Sequence, residues 1–181
     1  LTVLGPEGAP MISELVMDRH VSADSLMGLG EGEFIVLGTG LDRVWVVKTL
    51  DVDTPAWDLF LSGKQVMELW RKLIQHGARP VGVGVWDVLR VEAGRPAYGQ
   101  DMDDSTLLSE TGLVDRAVDH NKGCYTGQEV IVRIRDRGHV NRSFRGLLLA
   151  DGPIPKSNAE LFQDGRAAGH ITSVVESPRH G

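Results

Sequence analysis

The sequence is short of several features that define common classes of protein. It contains one cysteine, Cys124, in 181 residues, so no internal disulfide can form, and no Cys-x-x-Cys pair is present to hold zinc or an iron-sulfur cluster. No apolar run approaches the roughly 20 residues that span a bilayer, and residues 1–10 lack the basic start and apolar middle of a signal peptide. These absences predict a protein of a reducing compartment, the cytoplasm or a mitochondrial matrix, with no membrane partner.

The charge is unevenly distributed along the chain. The net charge is -6, but residues 120–149 carry six Lys or Arg against two acidic residues, or +4. Such a strip suits an anionic partner such as a polyglutamate tail, a phosphate or RNA. It is equally typical of a solvated face whose cations pair with the protein's own carboxylates. The basic strip comprises Lys122, Arg133, Arg135, Arg137, Arg142 and Arg145.

Short strand-like runs and amphipathic runs together predict an α+β fold with antiparallel sheets flanked by helices. Residues 34–37 and 44–47 read as a hairpin, and residues 57–61 read as a further strand. Pro6 is well placed to open a helix that continues past Met11 toward Val16.

The clearest helix in the sequence is Ser62 to Gly77. Ser62 and Gln65 form a capping-box pattern, and Gly77 is a natural stop. Its apolar residues recur at intervals of three and four, which predicts that they lie in the core. They are Val66, Leu69, Trp70 and Leu73.

A second helix is predicted from Val85 to Ala93, with Val85, Val88 and Leu89 facing inward. Asp87 and Arg90 are three residues apart and can pair, whereas Glu92 near the C-terminal end opposes the helix dipole. That placement costs a few tenths of a kcal/mol unless the carboxylate is used. Glu92 is therefore a candidate binding residue.

The C-terminal third contains one ambiguous segment and three strand-like ones. Residues 130–137 fit either a strand or a helix, and we favour a helix because Gln128 and Glu129 suit a first turn. Residues 143–149, 159–163 and 169–175 are typical of the opening of a β-barrel. These patterns predict an α+β domain over residues 1–140 and the start of a barrel domain over residues 141–181.

Three aspartates, Asp101, Asp103 and Asp104, precede Ser105 and Thr106. A metal site is one interpretation, but neither a histidine nor a further carboxylate cluster accompanies them. We predict a loop that caps the following segment and no metal site.

The lone cysteine lies in the stretch Lys122-Gly123-Cys124-Tyr125-Thr126-Gly127-Gln128-Glu129. Glycines on both sides predict a tight exposed turn. If the Lys122 ammonium or the start of a helix at Gln128 lies near the sulfur, it favours the thiolate and makes Cys124 a nucleophile or redox centre. The alternative is a small buried apolar side chain.

Four stretches together resemble the folate-binding YgfZ/GcvT family, which includes the aminomethyltransferase (T-protein) of the glycine cleavage system. The resemblance spans nearly the whole chain in the family's order, and the cysteine stretch is the mark of the YgfZ branch. The four are residues 4–7, the run Leu89-Arg90-Val91-Glu92-Ala93-Gly94 with its flanks through Tyr98 and Asp101, residues 122–129, and Gly169-His170-Ile171-Thr172-Ser173.

The resemblance implies a cofactor, partners and site residues. It implies that Glu92 hydrogen-bonds the pterin of tetrahydrofolate or a one-carbon derivative, with Arg90 and Tyr98 from the same stretch also contacting it. It implies that Cys124, with Lys122 beside it, carries the chemistry. The branch is associated with maintenance of iron-sulfur enzymes and with tRNA modification, so iron-sulfur client proteins or tRNA are the expected partners. We further expect Glu92 and Cys124 to face one shared hollow.

Two departures from the aminomethyltransferase pattern argue against glycine-cleavage transfer. Aminomethyltransferases have a Tyr-Thr-Gly-Glu run where this chain reads Leu50-Asp51-Val52-Asp53, and the acid that acts near the folate lies in an N-terminal portion absent from this sequence. A T-protein-like aminomethyltransferase and a non-catalytic module for RNA or another anion are the alternatives. Because both termini interrupt family elements, we expect the chain to complete its core as a homo-oligomer.

Overall fold

The structure is a computed structural model that describes residues 1–15, 21–38, 40, 43–150 and 152–180. The described chain forms two compact units, Leu1–Ala93 and Gly94–Gly181. Helices and antiparallel sheets occur together, as the sequence predicts. No helix of the described part has both the length and the apolar character needed to cross a membrane.

The first unit is built on a four-stranded antiparallel sheet. Its strands are β1 (Thr2–Leu4), β2 (Phe34–Leu37), β3 (Val44–Thr49) and β4 (Ala56–Phe60), in the order β1-β4-β3-β2. The predicted hairpin is confirmed, since Phe34 pairs with Val47 and Leu37 pairs with Val44. The predicted strand at 57–61 forms one residue earlier, as β4.

Helices cover one face of this sheet. They are α1 (Gly8–Leu15), α2 (Ala23–Met27) and α3 (Gly63–Gln75). The predicted continuation of α1 to Val16 lies outside the described residues. The core between the helices and the sheet is apolar and contains the fully buried Trp57. Its other fully buried large side chains are Ile12, Leu26, Leu37, Val46 and Leu59.

The capping box of α3 forms as predicted. The Ser62 side chain accepts a hydrogen bond from the Gln65 backbone, and the Gln65 side chain accepts one from the Ser62 backbone. Leu69 and Leu73 are buried, but Trp70 is 37% exposed, so its prediction as a core residue is wrong. Successive helical residues are about 100° apart, which leaves Trp70 at the boundary of the stripe that Leu69 and Leu73 define.

Helix α4 (Val83–Glu92) begins two residues before its predicted start. Val85 therefore lies in the first turn and is 48% exposed, which corrects its predicted inward position. Val88 and Leu89 are half-buried. Gly94 takes a φ of 67° directly after the helix, so the predicted glycine stop is confirmed.

The second unit contains a 3₁₀ turn (Leu108–Glu110), the short helix α5 (Val114–Ala117), the longer helix α6 (Gln128–Arg137) and a hairpin. The helical alternative for residues 130–137 is thus confirmed. The hairpin joins β5 (Glu160–Gln163) to β6 (Arg166–His170) through Asp164 and Gly165, both at positive φ.

Two of the predicted barrel strands differ from the structure. Residues 143–149 form no strand. Within this segment, the Phe144 N–H donates a hydrogen bond to the Glu110 carbonyl. A strand needs a neighbour to pair its backbone, and no described strand pairs with this segment. The last strand forms at Arg166–His170 and shares only two residues with the predicted 169–175. The barrel and the boundary at residue 140 stay predictions.

Candidate functional site

Glu92 is the last residue of α4 and is half-buried. Two residues earlier, Arg90 donates from Nε to Asp87 Oδ1 at 2.8 Å, which confirms the predicted pair. Arg90 is only 5% exposed, so its guanidinium lies in the protein body. Its predicted contact with a folate, like that of Glu92, stays a prediction.

Tyr98 lies on a compact loop over residues 97–104. The Gly99 N–H donates to the Met102 carbonyl at 2.7 Å, and the Asp101 N–H donates to the Ala97 carbonyl at 2.8 Å. The Tyr98 ring is 67% exposed, and its hydroxyl donates to Asp104. That hydrogen bond raises the pKa of the Tyr98 phenol, since it stabilises the protonated form. The loop therefore presents an aromatic ring with a fixed hydroxyl.

Asp101 joins this loop to the stretch Gly169–Ser173. Its Oδ2 accepts the Ala97 N–H at 2.8 Å, while its Oδ1 accepts the hydroxyl of Thr172 at 2.6 Å and that of Ser173. The residue is 8% exposed. The sequence alone predicted Asp101 only as a loop residue. Asp101 lies in one of the four stretches that carry the family resemblance, and Thr172 and Ser173 lie in another; this shared membership could have indicated their contact.

Of the neighbouring aspartates, Asp103 lies in the predicted loop, but neither it nor Asp104 caps the 3₁₀ turn, whose N-cap is Leu107. Asp103 accepts hydrogen bonds from the backbone and hydroxyl of Ser105 and from the hydroxyl of Thr106. These bonds lower the pKa of the Asp103 carboxyl, the Ser105 hydroxyl contributing most. No group of three or more His, Cys, Asp or Glu side chains suited to a metal occurs in the described ranges.

Cys124 is a free, exposed thiol. The predicted exposure is confirmed and the buried alternative is wrong, but the turn itself falls at Thr126 and Gly127, between the cysteine segment and the start of α6 at Gln128. Gly127 takes a φ of 87° immediately before the helix, a left-handed conformation that glycine adopts at low cost. The thiol is therefore open to a reagent or partner from solvent.

Two contacts shape the cysteine turn. The Lys122 ammonium lies 4.8 Å from the centroid of the Tyr125 ring, in a cation–π contact. The Tyr125 N–H donates to the Gln128 side chain at 3.2 Å, which ties the turn to the first turn of α6. Lys122 thus has a defined partner in the ring, and its predicted effect on the sulfur stays a prediction.

Much of the basic strip pairs with carboxylates inside the same unit. Arg135 donates to Asp136 at 2.6 and 3.1 Å, and Arg142 contacts the buried Glu110 at 3.3 Å. The Arg135 hydrogen bond lowers the pKa of the Asp136 carboxyl. Arg133 lies 3.6 Å from Glu129. Three of the six cations of the strip therefore pair as the solvated-face interpretation predicts, and an RNA surface stays a prediction.

Glu92 belongs to the first unit and Cys124 to the second. The structure describes each residue within its own unit. The expectation of one hollow shared by the two residues stays a prediction.

Comparison with known sequences gives the family. Residues 1–122 match the GCVT N-terminal domain, and the chain belongs to that family. An aminomethyltransferase of Rubrobacter xylanophilus is 29% identical over 181 residues, which is all of this chain and 47% of the relative. An aminomethyltransferase of Thermosynechococcus vestitus is 31% identical over 137 residues, 76% of this chain and 37% of the relative. The chain thus spans about half the length of the curated relatives it matches, or less.

Proposed function

We propose that this chain is the folate-binding part of a YgfZ-type protein, one that supports iron-sulfur enzymes or tRNA modification through a one-carbon unit. The observation that carries the proposal is the exposed thiol of Cys124 in a glycine-bracketed turn directly before α6. A solvent-facing cysteine between two glycines is suited to react with a partner. Membership of the GCVT family supports the folate-binding part of the proposal.

The residues of the first unit fit a pterin. Glu92 is a half-buried carboxylate, and the two oxygens of a carboxylate match the adjacent ring N–H and amino donors of a pterin. Arg90, anchored on Asp87, is better suited to hold the end of α4 in place than to contact the ligand through Nε. Bound tetrahydrofolate would supply the carrier of the one-carbon unit.

The residues of the second unit supply an aromatic ring and a nucleophile. Tyr98 presents an exposed ring suited to pack against a flat heteroaromatic ligand. Cys124 is the group proposed to handle a thiol, a persulfide or a one-carbon adduct, and Lys122 on the Tyr125 ring adds a positive charge to the turn. In this proposal Glu92 binds the folate, the Tyr98 ring packs on the ligand, and the Cys124 thiol is exposed to react.

Calorimetric titration with tetrahydrofolate tests the folate role. Glu92→Gln keeps the shape of the side chain but replaces one acceptor with a donor, so we expect about tenfold weaker binding. Glu68→Gln is the matched control, because Glu68 is an exposed helical glutamate whose partner is Lys72 at 2.8 Å. Equal affinities for the wild type and Glu92→Gln would remove Glu92 from the pterin site.

A second candidate is the aminomethyltransferase reaction itself. It is favoured by the names of the relatives, which are aminomethyltransferases that match up to the whole of this chain. A glycine-cleavage assay separates the two candidates, with the full-length protein and the partner proteins of the system present. The aminomethyltransferase releases ammonia in that assay, whereas the YgfZ-type proposal predicts none.

A further inference from the structure

Asp101 is a buried carboxylate that serves two segments far apart in the sequence. Its Oδ2 accepts from the Ala97 backbone four residues earlier, and its Oδ1 accepts from Thr172, 71 residues later. At 8% exposure, such a group is stable only when its oxygens are hydrogen-bonded. The three hydrogen bonds from Ala97, Thr172 and Ser173 meet that requirement.

The segment that Asp101 fixes is the one that presents Tyr98. Within residues 97–104, the Gln100 and Asp101 amides donate to the Ala97 carbonyl at 3.3 and 2.8 Å, and the Gly99 amide donates to Met102. Gly99 itself takes a φ of 83°. The internal bonds give the loop its shape, while the Oδ1 contacts tie it to residues 172 and 173.

We infer that Asp101 is a positioning residue that fixes the Tyr98 ring for ligand binding by clamping its loop to Thr172 and Ser173. This inference rests on the proposed function, in which Tyr98 packs against the folate. Asp101 itself acts through the loop and touches no ligand. Through the clamp, Thr172 and Ser173 contribute to ligand binding although they lie more than 70 residues after Tyr98 in the sequence.

The chemistry of the clamp predicts which substitutions it tolerates. An asparagine at 101 can keep its carbonyl oxygen on the Ala97 N–H and donate from its NH₂ group to the two hydroxyls, which can accept. Asp101→Asn should therefore retain the clamp. Asp101→Ala removes it entirely, and Thr172→Val with Ser173→Ala removes the two hydrogen bonds to Oδ1 while leaving the loop's own backbone bonds.

Glu110 provides the matched control. It is equally buried at 7%, lies in the same unit and accepts from the Leu107 backbone and from Arg142. Glu110→Ala should lower stability through the same kind of loss, but it does not touch the loop of Tyr98. A purely structural role for Asp101 predicts that the two alanine variants behave alike.

The experiment combines tetrahydrofolate titration with amide hydrogen exchange at Gly99 and Asp101. We expect Asp101→Ala and the Thr172→Val/Ser173→Ala variant to bind about tenfold more weakly and to exchange these amides faster. Asp101→Asn should remain within about threefold of wild type in affinity, and Glu110→Ala should leave both readouts unchanged. Unchanged exchange in both clamp variants, or equal weakening by Glu110→Ala, would overturn the inference.

The exchange readout separates this inference from the proposed function. If wild type does not bind tetrahydrofolate, the folate proposal fails, and the exchange rates at Gly99 and Asp101 still decide whether Asp101 fixes the loop. If wild type binds but the clamp variants bind equally well, the positioning role fails and the folate proposal stands.

Discussion

The Lys48 ammonium lies 4.0 Å from the centroid of the Trp57 ring, on the core face of the four-stranded sheet. The two residues are direct partners across β3 and β4. Lys48 is 7% exposed, and its ammonium makes no ion pair with a carboxylate among the described residues. Desolvation lowers the pKa of Lys48, because burial penalises the charged form more than the neutral one.

Lys48→Met should stabilise the first unit at neutral pH. The substitution removes a desolvated charge and keeps an unbranched apolar stem on the Trp57 ring, so we expect a gain of about 1 kcal/mol after loss of the cation–π contact. Thermal and denaturant unfolding of both proteins measure it. A loss of stability at neutral pH would show that the ring contact outweighs desolvation.

The contact between Lys48 and Trp57 also predicts how the free energy of unfolding depends on pH. The pKa of Lys48 is lower in the folded than in the unfolded state, so the unfolded state binds more protons between the two values. The cost of burying the charge is complete below the folded pKa and vanishes as pH rises past the unfolded value of about 10.4. The advantage of Lys48→Met should therefore shrink as pH rises through this window. If the stability advantage of Lys48→Met grew with pH, the pKa of Lys48 would not be lowered in the folded state.

Gly8→Ala should destabilise the protein by about 1–3 kcal/mol. A Cβ at residue 8 would lie 2.7 Å from Trp57 Cζ3, and Trp57 is fully buried with its indole N–H donating to the Leu26 carbonyl at 3.1 Å. Gly63→Ala is the control, since Gly63 also begins a helix and a Cβ there meets nothing within 4 Å. Equal unfolding midpoints for the two variants would show that the Trp57 side chain can move.

Gly127→Ala should cost about 1–2 kcal/mol. The space at residue 127 is open, but its φ of 87° is unfavourable for a residue with a Cβ. Gly123→Ala, on the other side of Cys124, also meets open space and needs no positive φ, so it should be nearly neutral. Denaturant unfolding of the two variants compares them directly. A neutral Gly127→Ala would mean that the turn relaxes without loss.

Cys124 should react in the native protein. Its thiol is exposed, so a disulfide reagent should modify one cysteine at a rate within about tenfold of that in denaturant. Cys124→Ser should abolish the reaction and leave the unfolding midpoint unchanged. Protection of the thiol by several orders of magnitude in native protein would contradict its exposure.

Local sequence signals predicted much of the first unit correctly. Ser62 and Gln65 define the start of α3, and the apolar runs at residues 34–37 and 44–47 define the hairpin of β2 and β3, because both signals depend on neighbours within a few residues. Helix α2 was missed, although Ser22 and Ser25 form a capping box. The predicted strand at residues 143–149 did not form, since strand formation depends on a partner that local pattern does not supply.

The sequence alone favoured a helix from Gln128 and an exposed glycine-rich segment around Cys124, because a first-turn pattern and glycine act locally. It also carried the resemblance that the GCVT domain match supports. Only the tertiary structure decided that Lys48 lies on Trp57 and that Asp101 binds Thr172, since residues distant in sequence meet only through strand register and chain folding.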